Sequence, residues 1–101
     1  MKFLKIIHRR KSNKFYKEIL KGVSENLEGF DETIQDYVDR PIQQLDVIEK
    51  NILRISLYEL KKKELDSSIV INEAIRMAKK YGSVEGYKLV NAVLDKIIKA
   101  H

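Results

Sequence analysis

Two histidines, His8 and His101, three glutamates, Glu49, Glu59 and Glu73, and a lysine- and arginine-rich start are the side chains here with chemistry to offer. A general acid and base must converge on one substrate within hydrogen-bond reach. No spacing in this sequence brings two of these carboxylates together. The histidines lie in the two terminal segments without ligand partners nearby, and read as ordinary surface residues. With no cysteine, disulfides and zinc–thiolate sites are excluded, which fits a reducing compartment. A glycine-rich phosphate loop, a nucleophile elbow and a His-Glu-x-x-His pattern are all lacking from the sequence. Binding is left as the chemistry to expect. The chain is not read as an enzyme, and no metal or cofactor is expected.

The charge is unevenly placed. Lys2, Lys5, Arg9, Arg10, Lys11 and Lys14 give the first fourteen residues +6 with no acid. The remainder carries fourteen bases against fifteen acids, a net −1. Residues 1–13 therefore read as a basic N-terminal arm on a near-neutral helical domain, 14–101. Such arms contact phosphate backbones or keep a terminus solvated.

The elements that must position these groups read as helices. One domain of 101 residues with four glycines and one proline has few turn-makers and can bury only a small core. Five helical segments follow from apolar periodicity. The first, residues 14–27, carries Phe15, Ile19, Val23 and Leu27, with Tyr16 and Leu20 alongside and Gly29 as its stop. The second, 31–39, has Asp31 as cap and Ile34, Tyr37 and Val38 inward. Pro41 disfavours helical geometry at Arg40. The third, 42–63, has an apolar surface wider than one stripe (Ile48, Ile52, Ile55, Leu45, Leu53, Leu57, Leu60), as a central helix needs. Its lysines, Lys61 to Lys63, suit a solvated C-terminal end.

Asp66, Ser67 and Ser68 can cap the fourth helix, 68–81, whose apolar face is Val70, Ile71, Ala74, Ile75 and Ala78. Gly82 suits a left-handed residue after it, and Ser83 can cap the fifth, 84–100, which buries Tyr87, Val90, Leu94 and Ile97. Asn72, Glu73 and Asn91 interrupt these apolar runs. Asn91, between Val90 and Val93, reads as a buried amide fixing helix register, or as a ligand contact. The aromatics at helical spacing read as core or boundary residues. The expected fold is all-α, a compact bundle of about five helices. No apolar run approaches the roughly 20 residues of a membrane span, and "MKFLKIIHRRKSNK" is no signal peptide. A cytoplasmic protein is the simplest expectation.

Three stretches, "IEKNILRISLYEL", "VINEAIRMAKKYG" and "LVNAVLDK", resemble in order and separation the signatures of the NusB family of transcription antitermination factors. "FYKEILKGV" is similar to the family's preceding helix. The resemblance implies a NusB-like fold of two packed helical subdomains. It also implies an adaptor that binds boxA-type RNA together with the ribosomal protein NusE, within the RNA polymerase antitermination complex on ribosomal RNA operons. RNA contacts are expected from Arg9, Arg10 and Lys11 in the arm and from Lys88 and Leu89. At the last two positions the family usually has a basic residue and an aromatic, and Leu89 cannot stack on a base. Glu85 is acidic where the family is commonly acidic. On the NusE side Glu49 is the first expectation, with Arg40 and Gln43 nearby. Glu49 equally fits an exposed helix-surface carboxylate beside a lysine.

The family's long arginine-rich first helix has no counterpart here, and "MKFLKIIHRR" resembles the end of its second helix. Truncation is the reading preferred. A missing helix would leave apolar surface uncovered, so a homodimer or swapped oligomer is expected. Two alternatives accompany the adaptor reading: a module that binds NusE but little RNA, and the NusB-like domain of a ribosomal RNA methyltransferase.

Overall fold

A computed structural model describes residues 13–100, with side chains from Lys17 onward. The order is α1 (Asn13–Glu25), α2 (Leu27–Tyr37), a single 3-10 turn (Ile42–Gln44), α3 (Val47–Lys62), α4 (Ser67–Tyr81) and α5 (Gly86–Ala100). Every regular element among the described residues is helical, as the periodicity predicts. The arm residues expected to meet RNA, Arg9, Arg10 and Lys11, lie outside the described residues, as do His8 and His101.

The third helix is central, and the reason is its width. Ile52, Leu53, Ile55, Ser56 and Leu57 are all buried on it, so no side of its middle turns faces water, and it packs against each of the other four helices. Ile19 of α1, Phe30 and Ile34 of α2, Ala74 and Met77 of α4, and Val90 and Leu94 of α5 complete the core. Where α1 crosses α3, the ring of Tyr58 lies where a Cβ on Gly22 would be. The missing side chain lets the two helices approach. A fork of two 2.7 Å bonds from Arg54 to Asp31 ties α3 to α2, and Arg54 also donates to Asn51 at 3.0 Å. Planar guanidinium and carboxylate match in such a pair, which makes it directional as well as attractive.

Several boundaries fall elsewhere than the sequence suggests. The first helix stops at Asn26 rather than at Gly29. The Asn26 amide donates back to the Gly22 carbonyl at 2.8 Å and its backbone N–H to Val23 at 3.2 Å, a side-chain competition with the helix that asparagine is suited to. Gly29 lies within α2, with nothing within 4 Å of the space a Cβ would fill. Asp31 is a mid-helix partner of Arg54 rather than a cap. The third helix starts five residues later than 42, because Asp46 caps it by accepting from Ile48 N (3.0 Å) and Glu49 N (3.3 Å). Its left-handed terminator is Lys63, φ 57°. Gly82 is extended, φ −87° and ψ −171°, not left-handed. Asn91 is exposed, so the expectation of a buried amide is corrected: the turn of α5 places it opposite Val90 and Val93.

Candidate nucleic-acid interface

The last turn of α4 ends in Lys79, Lys80 and Tyr81, and α5 opens with Gly86, Tyr87 and Lys88. The two helix ends meet across the 82–85 turn and put lysines over aromatic rings. Lys79 Nζ lies 4.9 Å from the Tyr87 ring centroid, and Lys80 Nζ lies 5.3 Å from that of Tyr81. Each is a cation–π contact. Lys88 Nζ meets Glu85 at 2.9 Å, with both side chains more than 60% exposed (62% and 68%). Such an exposed pair adds little stability, so Lys88 is available to a phosphate. Ammonium groups for phosphates and ring faces for bases are what a single-stranded nucleic acid uses.

This surface is held from beneath by Glu49. The first turn of α3 directs its side chain under the turn, where it is 4% exposed. One carboxylate oxygen, Oε2, accepts both from Ser83 N at 2.8 Å and from Ser83 Oγ at 2.7 Å. Gly86 lies directly against the carboxylate; a Cβ there would coincide with Oε2 and Cδ, and one on Gly82 would stand 2.8 Å from Oε2. Ser83 thus spends its hydroxyl on Glu49 rather than on capping α5. The reading of Glu49 as an exposed helix-surface carboxylate is corrected. Its reach into the α4–α5 turn takes it off the surface.

Lys88 is exposed, whereas Leu89 is half-buried and packs on the core. These two sit on the same end of the molecule as Lys79 and Tyr87. Arg40 and Gln43 are both exposed at the α2–α3 junction. That junction is stapled by Gln35, whose amide donates to the Arg40 carbonyl and accepts from Ile42 N, both at 2.9 Å. Arg40 Nε also meets Asp39 at 3.2 Å. Glu73 receives both bonds of Arg76 at 2.8 Å, and Asn72 is exposed. Among the described residues no three His, Cys, Asp or Glu side chains gather as metal ligands, and no helix is long and apolar enough to cross a membrane.

Residue-by-residue reading of the sequence missed Lys79, Lys80, Tyr81 and Tyr87 as a group. The signal was present as lysine beside tyrosine on both sides of one turn, in "KKYGSVEGYK".

The description "NusB family" belongs to a sequence profile that matches residues 3–99. The chain belongs to the NusB family. A relative from Colwellia psychrerythraea called transcription antitermination protein NusB is 42% identical over 92 residues, spanning 90% of this chain and 67% of its own. One of the same name from Methylococcus capsulatus is 40% identical over 84 residues, spanning 82% of this chain and 42% of its own. The solved T. maritima NusB superposes with a TM-score of 0.81 at 34% identity, over 92% of this chain and 69% of that one. The NusB fold expected from the signatures is therefore present. The chain spans from about two fifths to two thirds of the length of these curated relatives.

Proposed function

We propose that this NusB-family chain is a non-enzymatic transcription antitermination adaptor that binds boxA-type RNA and the ribosomal protein NusE. The observation that carries the reading is the 42% identity, over 90% of the chain, to a protein named for antitermination. The α4–α5 surface supports it with the right chemistry. Lys79, Lys80 and Lys88 offer ammonium groups to phosphates, and Tyr87 takes a base on its ring as Lys79 moves from over that ring to a phosphate. Arg9, Arg10 and Lys11 add phosphate contacts from the arm. Arg40 and Gln43, exposed on the α2–α3 junction, form the NusE side. One chain then holds RNA and protein partner at once without making or breaking a bond. The adaptor works in the cytoplasm, where the polymerase complex is, and self-associates as a homodimer.

Transcription in vitro on a template with boxA upstream of a terminator tests this reading. With polymerase and NusE present, adding the protein raises read-through on the boxA template and not on one with a scrambled boxA. Equal read-through on both templates contradicts the proposal.

A further inference from the structure

The turn that carries the RNA-facing residues is anchored by a side chain thirty-four positions earlier in the chain. Four observations bear on that anchor. Glu49 is 4% exposed, so it has almost no surface to present. Both donors of Ser83 converge on its Oε2 at 2.8 and 2.7 Å. Gly82 and Gly86 flank the carboxylate, and a methyl group on Gly86 would take its place. Finally, α5 begins at Gly86, so whatever fixes Gly86 also sets the direction in which Tyr87 and Lys88 leave the turn.

We infer that Glu49 is a positioning residue: it fixes the α4–α5 turn through Ser83 and Gly86, and aims Tyr87 and Lys88 at RNA without touching RNA or protein partner. The inference rests on the reading of that turn as an RNA surface. Its physical basis is reach and acceptor geometry, not charge seen from outside. A glutamine at this position has the same length and one carbonyl oxygen able to accept both Ser83 donors. An aspartate keeps the charge but is one methylene too short to reach them. A docking contact made by charge would sort the two variants in the opposite order.

The test compares the full chain with Glu49→Gln, Glu49→Asp and Glu49→Ala. Fluorescence anisotropy with labelled boxA RNA, calorimetric titration with NusE and amide hydrogen exchange at Ser83 are measured for each. Glu49→Gln keeps RNA affinity within about threefold, while Glu49→Asp and Glu49→Ala lose about tenfold, the scale of one misplaced stacked base. NusE affinity stays unchanged across the series, and Ser83 exchange accelerates only in the aspartate and alanine variants. The reverse order, aspartate tolerated and glutamine not, overturns the inference, as does a loss of NusE affinity with RNA affinity intact. If the alanine variant does not fold, the glutamine and aspartate pair still decides. If the unmodified chain does not select boxA, the RNA reading of the turn fails. The Ser83 exchange pattern then still tests the anchor, and equal exchange in all variants overturns it.

Discussion

Substituting Gly86 by alanine isolates the fit between a buried carboxylate and a helix start. The added methyl would coincide with Glu49 Oε2 and Cδ, so the carboxylate must leave and both bonds to Ser83 are lost. A hydrogen bond to a charged group contributes about 1.5–3 kcal/mol. Ser83 is itself exposed, so its donors turn to water and the low end of that range applies to each. Against this, alanine in a helix is favoured over glycine by at most about 1 kcal/mol. The net expectation is a loss of about 2–3 kcal/mol. For a domain of this size that lowers the melting temperature by about 10–20 °C, readable by circular dichroism. Glu49→Ala removes the same bonds and should cost a similar amount. The double variant is the informative one. With the carboxylate gone, the methyl has room, and Gly86→Ala should then cost no more than about 0.5 kcal/mol, leaving a coupling near 2 kcal/mol. Additive losses would refute the claim that these two residues compete for one space.

Three further outcomes follow from other parts of the fold. Arg54→Leu breaks the fork to Asp31 and should destabilise by about 2–3 kcal/mol, with Arg54→Lys recovering only part because a lysine cannot bond both oxygens in plane; urea unfolding measures both. Gly29→Ala and Gly22→Ala should differ in sign: the first fills empty space in a helix and stabilises by about 0.5–1 kcal/mol, whereas the second displaces the Tyr58 ring and destabilises by about 1–3 kcal/mol. Lys88→Gln should weaken RNA binding equally for boxA and scrambled sequences, and reduce the slope of log affinity against log salt by about 1, in an anisotropy series over salt.

The helices were legible because each one alternates apolar and polar residues with a 3.6 period that survives packing. The period places Ile19, Ile34, Ile52, Val70 and Leu94 inward, and all are buried. The width of the third stripe located the central helix. Boundaries were less legible, because they depend on which of several competent residues takes the capping role. Asp46 caps the third helix, Asn26 ends the first by donating back to Gly22, and Asp31 is drawn into an ion pair twenty-three residues away, a contact no local pattern announces. Glu49 shows the same limit at the site. Next to Lys50 in a helix's first turn it reads as solvated, and only the fold brings Ser83, Gly82 and Gly86 around it. Gly86 carried a signal that local turn rules do not use: it makes room for a neighbour rather than for an unusual backbone angle. Helical spacing marks Tyr37, Tyr58 and Tyr87 as core or boundary residues, and all three are half-buried. Lysine beside tyrosine is visible in the sequence, but only the fold carries Lys79 across the turn to lie over Tyr87.

One titration decides whether this chain joins boxA RNA to NusE. Labelled boxA RNA and a scrambled control are titrated with the protein, alone and with NusE, at low and physiological salt. The expected result is binding that favours boxA, tightens when NusE is present and persists at the higher salt. Equal, weak binding to both RNAs that collapses with salt and ignores NusE would contradict it, leaving only a non-specific attraction of lysines for phosphate.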